Sequence, residues 1–176
     1  MTSTATNETS FTVRRLNMPV GDVRAFQRRY EAAVPDLPVA QVDALVKRRA
    51  PWSEMVELLD TTAPHGFVFY FKSDLHPLMQ AAGDEADCLL YLMGDHTVAE
   101  RMFRHDPRAM LYAPLRTVIW EDSTGGAWFT VDQPSTQFGS LGIPEVAEVG
   151  AELDRKLAAL LEALDIGVPD PLRAER

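Results

Sequence analysis

Apolar residues recur along the chain with two periods, and each period predicts a type of element. The longest helical pattern begins at Pro144 and ends before Gly167, and its apolar stripe consists of Val146, Val149, Leu153, Leu157, Leu160 and Leu164. Spacings of three and four residues place these side chains on one face of a helix. A second helix is predicted after Asp22, a helix-capping residue type, and it should end before Pro35.

Strands are predicted where the helical period breaks. The runs 66–72 and 86–93 are apolar on both faces, which is typical of central strands. Phe67, Phe69 and Phe71 alternate in the first run, so we expect them to share one face of that strand. The other predicted strands are 11–16 and the two segments 114–121 and 127–132, which flank the hairpin turn Gly125-Gly126.

This order of elements predicts an α+β fold. We expect a single two-layer domain over residues 11–166, with a mostly antiparallel or mixed sheet and helices packed on one face. Residues 39–62 carry two short helical patterns and are predicted to form a helical insertion in that domain. Residues 1–10 are predicted to be a disordered tail, and residues 167–176 a C-terminal tail.

Composition and charge narrow the classes of partner. The chain has 176 residues and a net charge of −9, so its long-range field repels nucleic acid, and the basic run Lys47-Arg48-Arg49 is too short to reverse that. Its first residues do not show the charged-then-apolar order of a signal peptide, and no apolar run approaches the roughly 20 residues that a membrane-spanning helix needs. With Cys88 as its single cysteine, we predict a cytoplasmic protein that binds neither nucleic acid nor membranes.

The segment 99–107 holds the strongest candidate for chemistry. Thr97 and Glu100 have the spacing of a capping box, which predicts a helix over 98–104 with His105 behind its last turn. One hypothesis makes His105 a general acid or base that Asp132 orients. The alternative is structural, since a histidine at a helix end interacts favourably with the macrodipole.

Arginines and aromatic residues near this segment are candidates for ligand binding. In the catalytic hypothesis, Arg101 and Arg116 clamp an anion, and His96 and Tyr112 complete the ligand site. Arg116 interrupts an apolar strand, so it needs a partner if it is buried and is simply solvated if it is not.

Motifs of several common sites are missing from the sequence. The four histidines do not have the i, i+4 spacing of a helical metal site, and the chain lacks a Gly-x-Ser-x-Gly turn and a phosphate-binding glycine loop. We therefore predict no cofactor and no metal. A metal site assembled from distant residues stays open, and its candidate ligands are Asp74, His76, Asp95, His96 and His105.

The order of several short blocks resembles the family known as domain of unknown function 302. The likeness covers residues 66–164, and its blocks are Tyr91-Leu92-Met93-Gly94, the segment 101–107, Tyr112-Ala113-Pro114-Leu115-Arg116, Trp120-Glu121-Asp122 and Asp132-Gln133-Pro134-Ser135. The resemblance implies an α+β domain that pairs as a homodimer, and it implies no established reaction. The chain departs from the family pattern at Asp95, where asparagine is common.

Three functions remain as hypotheses. The first is a protein that binds a small, partly apolar or anionic molecule in a cleft between the sheet and the helix 98–104, with or without a cofactor-free proton transfer, isomerisation or cyclisation. The second is a non-enzymatic homodimeric accessory or interaction protein. The third is a metal or haem binder.

Overall fold

The computed structural model describes residues 7–173. Part of each predicted tail, residues 1–6 and 174–176, lies outside the described residues. The strands and helices follow in the order β1 (Arg15–Pro19), α1 (Val23–Ala33), α2 (Val39–Lys47), α3 (Trp52–Thr62), β2 (Val68–Asp74), α4 (His76–Gln80), β3 (Cys88–Gly94), α5 (His96–Phe103), β4 (Leu115–Glu121), β5 (Ala127–Asp132), α6 (Pro134–Phe138) and α7 (Pro144–Ala163).

The five strands form one antiparallel sheet in the order β1-β5-β4-β3-β2. The hairpin β4-β5 lies inside the sheet, and β1 returns to pair with β5 at one edge. Register pairs Arg15 with Asp132 across β1 and β5, and Leu92 with Arg116 across β3 and β4. The predicted α+β class with an antiparallel sheet is confirmed.

Strand alternation gives the sheet one covered face and one open face. Inward residues of β3, β4 and β5 are buried, and they are Leu89, Tyr91, Met93, Leu115, Thr117, Ile119, Ala127, Phe129 and Val131. Buried residues of α1, α5 and α7 join them in one core, including every member of the stripe predicted for α7. The helices therefore pack on one face of the sheet, as expected. Outward residues of the same strands, such as Arg116, form the open face.

Aromatic packing holds α1 against the covered face. The ring of Tyr30 lies 5.1 Å from that of Phe129 and 5.0 Å from that of Phe69. Its hydroxyl lies 3.0 Å from the Thr117 hydroxyl, which explains how a polar threonine is accommodated in the core. Burial raises the pKa of Tyr30 far above its ordinary value, so this phenol stays neutral and hydrogen-bonded.

Strand β2 departs from the predicted alternation. Its register shifts between Phe69 and Phe71, so Phe69 pairs with Met93 and Phe71 pairs with Leu92. The irregularity moves Phe71 to the open face, where it is 49% exposed, while Phe67 and Phe69 are buried. The prediction that all three rings share one face is wrong for Phe71.

Two chain segments are more ordered than the pattern predicts. The segment that follows β5 shows no helical period, but Pro134–Phe138 forms the short helix α6. The segment after Gly167 was expected to be a tail, but Val168 and Leu172 are buried in the core. Both segments pack through a few apolar side chains rather than through a periodic stripe, which is why periodicity does not reveal them.

Among residues 7–173, no helix combines the length and the apolar character needed to cross a membrane.

Candidate functional site

A cavity of about 220 Å³ lies between the covered face of the sheet and α5. Its walls are mostly apolar, and the side chains come from β2, β4, α5, α6 and α7. The lining residues are Tyr70, Gly94, Asp95, His96, Val98, Ala99, Met102, Met110, Ala113, Pro114, Leu115, Phe138 and Leu153. This is the position at which the sequence predicts a cleft.

The cavity begins where β3 ends and α5 starts. Gly94 is the last residue of β3, and a side chain there would meet the Tyr70 ring at 3.4 Å and the Cα of Pro114 at 3.6 Å. The missing Cβ lets these two neighbours close the wall of the cavity. Asp95 and His96 follow directly, so the strand end presents polar groups to an otherwise apolar space.

Asp95 caps α5 and also lines the cavity. Its Oδ1 accepts hydrogen bonds from the backbone N and the hydroxyl of Thr97, each at 2.7 Å. The helix therefore begins at His96, two residues earlier than the helix over 98–104 predicted from Thr97, because the Asp95 side chain caps its first turn. Asp95 is only 8% exposed, and among the described residues no group donates to its Oδ2.

His96 and Tyr70 form an aromatic pair at the mouth of the cavity. Their ring centroids lie 4.8 Å apart with an interplanar angle of 83°. Burial lowers the pKa of His96, and the nearby Asp95 carboxylate partly opposes that shift. Burial also raises the pKa of Tyr70 well above its ordinary value. Near neutral pH both rings are therefore uncharged, and Asp95 is the acidic residue among those that line the cavity.

The predicted catalytic pair does not assemble. His105 is exposed behind the end of α5, in the helical layer, and is not among the residues that line the cavity. Asp132 lies on the open face of the sheet, where its Oδ1 accepts a hydrogen bond from Arg15 at 2.7 Å. The sheet separates the two groups, so Asp132 cannot orient His105.

The predicted anion clamp is also divided. Arg101 projects from α5 and pairs with Glu152 of α7 at 2.8 Å, where it helps to join the two helices. Arg116 is exposed on the open face, in a shallow depression of about 530 Å³ that Arg15 and Asp132 also line. It is therefore a solvated strand arginine rather than a buried charge that needs a partner.

Of the other two predicted ligand residues, His96 lies in the cavity and Tyr112 lies behind its wall. The Tyr112 hydroxyl is 3.2 Å from the Ser140 hydroxyl, and its ring packs edge-on against Phe138. Phe138 lines the cavity, so Tyr112 supports the wall without contacting the space itself.

Sequence reasoning missed Tyr70 as a site residue and named Asp95 only as a candidate metal ligand. Asp95 carried a usable signal, because it follows a buried strand and precedes a helix, where a side chain can cap and still face a cleft. Tyr70 carried none, since the irregularity of β2 beside it cannot be read from the alternation of apolar residues.

The metal candidates are scattered in the part of the chain that the structure describes. No group of three or more His, Cys, Asp or Glu side chains there is arranged to hold a metal ion. Asp74 and Asp87 approach each other near His76, but Arg24 pairs with both carboxylates, at 2.7 and 2.5 Å. The arginine occupies the place that a cation would take in such a cluster.

Comparisons with known proteins agree with this fold and add no activity. A family model described as "Domain of unknown function DUF302" matches residues 46–164. A crystal structure of an uncharacterized conserved protein DUF302 from Bacillus stearothermophilus superimposes with a TM-score of 0.59 at 14% identity, covering 86% of this chain and 97% of that chain. No curated protein matches the sequence.

Proposed function

Because the chain belongs to the DUF302 family, whose description names no activity, we propose a function from the cavity itself: it binds a small molecule with an apolar body and a hydrogen-bond donor. The donor, an amine or a hydroxyl group, pairs with the Asp95 carboxylate. This proposal keeps the predicted cleft and small-molecule ligand. It does not keep the expectation of an anionic ligand, because Arg101 and Arg116, which were to bind the anion, lie outside the cavity.

The free carboxylate oxygen of Asp95 in an apolar cavity is the observation that carries this proposal. Oδ2 of Asp95 receives no hydrogen bond from the described residues, and because every fully buried side-chain oxygen among them has a partner, this oxygen stays accessible to a molecule that enters the cavity. A ligand donor would satisfy that oxygen, while Val98, Leu115 and Phe138 would cover an apolar body. The pattern of apolar walls with a few polar groups is typical of ligand sites.

We assign the acid or base role of the catalytic hypothesis to His96 instead of His105. Its imidazole lines the cavity, and burial favours the neutral form that can accept a proton. A cofactor-free proton transfer would need the bound molecule to place an acidic C–H or O–H against this ring. The predicted cytoplasmic location stays a prediction.

Three probes that share a benzene ring but differ in charge and in their hydrogen-bond donors test the cavity proposal. We expect benzylamine to bind most tightly, benzyl alcohol to bind more weakly and benzoate not to bind, because only the first two donate to Asp95. Isothermal titration and chemical-shift changes at Asp95 and Ala99 measure this. Asp95→Asn should lower the affinity for benzylamine by about tenfold, the scale of one charge-assisted hydrogen bond, and should leave the affinity for benzyl alcohol within about twofold of its original value.

Asp106→Asn is the matched control for that experiment. Asp106 caps the helical turn after α5 by accepting from the backbone N of Arg108 at 2.8 Å, but it does not line the cavity. Its amide variant should leave all three affinities unchanged. Equal binding of benzylamine and benzoate by the unaltered protein would refute the role given to Asp95, and no binding by any probe would refute the cavity proposal.

We also propose that two copies of the chain pair through the open face of the sheet. The face carries one exposed and several half-buried apolar side chains, which are Phe71, Leu90, Leu92, Val118, Trp120 and Trp128. Arg15 and Arg116 share it with the carboxylates of Asp132 and Glu121. A two-fold interface must be self-complementary, and a face with apolar residues and both signs of charge meets that requirement.

A single charge at the centre of the open face should separate the copies. Val118 lies on β4 between Leu90 of β3 and Thr130 of β5, so Val118→Arg would place an unpaired cation within the interface. We expect sedimentation to give twice the monomer mass for the unaltered protein and the monomer mass for the variant, with the same circular dichroism. Leu78→Arg, at an exposed position on α4, should stay dimeric. A monomeric unaltered protein contradicts the pairing.

A further inference from the structure

A second, more open groove borders the cavity on the side of the helical insertion. It measures about 340 Å³ and lies between α5 and the pair α2-α3. Its lining residues are Val42, Val46, Trp52, Met55, His96, Ala99, Glu100, Phe103 and Met110. With the exception of His96 and Glu100, these side chains are apolar.

Three residues belong to both spaces. His96, Ala99 and Met110 line the cavity on one side and the groove on the other. His96 and Ala99 lie one turn apart on α5, so this short stretch of helix forms the threshold between the two. A molecule bound at Asp95 that is longer than the cavity would reach the groove at this shared border, beside Ala99.

The groove exposes large apolar side chains that a monomeric domain normally covers. Trp52 is 46% exposed, Val46 is 64% exposed and Phe103 is 50% exposed. None of the nine residues of α2 is buried, although four of them are valine or leucine. A contiguous apolar surface of this kind marks a binding site when it adjoins a formed pocket.

From this continuity we propose that the ligand is elongated: a primary amine or hydroxyl head sits at Asp95, and a linear alkyl chain runs past Ala99 into the groove between α5 and α2-α3. The inference rests on the cavity function proposed above and names the class of molecule that the site takes. A chain fits this arrangement better than a compact ring system, because the cavity and the groove share His96, Ala99 and Met110 and both have mostly apolar walls.

Charge fixes the direction in which such a molecule lies. Glu100 is the acidic residue among the groove-lining side chains, and Arg104 neutralises it through a hydrogen bond from its Nε at 3.0 Å. Asp95 has no such cationic partner among the described residues. A cationic head is therefore drawn to the cavity end, and the uncharged tail is left in the groove.

Linear primary amines of increasing length test this inference. We expect affinity to rise from butylamine through hexylamine to octylamine by about fourfold for each added methylene, the value for a buried CH₂ group. Titration calorimetry below the micelle-forming concentrations measures the series. If butylamine binds and octylamine binds no more tightly, the elongated ligand is refuted while the cavity function stands. If butylamine, benzylamine and benzyl alcohol all fail to bind, both proposals fall.

Variants in the groove separate the tail from the head. Trp52→Ala should weaken octylamine by about tenfold and leave butylamine within about twofold, because only the longer chain reaches Trp52. Val46→Ser, at a more exposed position, provides a second variant that should act in the same direction if Trp52→Ala fails to fold. Leu78→Ala removes an equally exposed side chain from α4 and should change neither affinity. Equal losses for both amines in the groove variants would overturn the inference.

Discussion

Replacing Asp154 by alanine is expected to lower the free energy of unfolding by about 3 kcal/mol. Asp154 lies on α7, is buried, and accepts three hydrogen bonds that tie α6 to that helix. Its Oδ2 accepts from Gln133 Nε2 and from the Ser135 hydroxyl, each at 2.6 Å, and its Oδ1 accepts from the Ser135 backbone N at 2.9 Å. Alanine would remove an acceptor from the buried Gln133 amide, which also donates to the Pro171 carbonyl oxygen at 3.2 Å, and from the half-buried Ser135 amide and hydroxyl.

Denaturant unfolding measures this loss, and thermal unfolding should show a midpoint lower by roughly 6–12 °C for a chain of this size. Asp154→Asn should cost less, about 1–2 kcal/mol, because one amide oxygen remains while the NH₂ group faces another donor. Glu148→Ala, at an exposed site on the same helix, should change stability by less than about 0.5 kcal/mol. A loss below about 1 kcal/mol for Asp154→Ala would show that the network contributes little.

The Asp154 network also shows where the sequence stops predicting structure. The apolar stripe of α7 is periodic and predicts both the helix and its buried face. Asp154 directly follows Leu153, so periodicity places it beside that stripe, but nothing local reveals that α6 will meet it there. The contact at Gly150 is equally hidden from the local sequence: a side chain at this position would lie 3.0 Å from the Cβ of Phe138 on α6. Close approach between helices depends on tertiary packing, which a single sequence does not display.

The regular strands of the sheet could be predicted from the sequence, whereas the register shift in β2 could not. Alternation in β4 and β5 gives the correct strands, hairpin and inward residues, because a period of two is a property of the backbone. The same alternation places Arg116 on the face of the sheet that Leu115 and Thr117 do not occupy. If those two residues are taken as core, the exposure of Arg116 on the open face follows. The register shift that exposes Phe71 does not follow, because an extra residue in a strand depends on its neighbours.

The candidate site could be located from the sequence, but its chemistry could not be assigned. The junction of β3 and α5 is predicted by a buried strand followed by a helix cap, and the cavity lies there. The prediction that His105 acts as an acid or base rests on the charged residues that surround it in the sequence. Two turns of helix α5 place it away from the junction, whereas His96 stands at the helix start. Clustering of charged residues along the chain therefore did not identify the histidine that lines the cavity, whereas its position directly after the end of β3 would have done so.

Filling the threshold between the cavity and the groove should abolish binding. Ala99 lines both spaces, so Ala99→Trp would place an indole across the path and occupy the volume that the ligand needs. We expect the affinity for benzylamine and for octylamine to fall by at least about a hundredfold, which corresponds to the loss of most apolar contact in the site. Calorimetry and the chemical shifts of Asp95 measure the loss.

The stability of the Ala99→Trp variant separates occlusion from unfolding. Ala99 is only partly buried, and its side chain faces open space, so the larger ring should leave the free energy of unfolding within about 1 kcal/mol of its original value. Ala159→Trp, at an exposed alanine of α7, is the matched control and should keep both affinities. A folded Ala99→Trp protein that still binds octylamine with its original affinity would place the ligand elsewhere, because the indole would fill the volume beside Ala99 that the proposed ligand occupies.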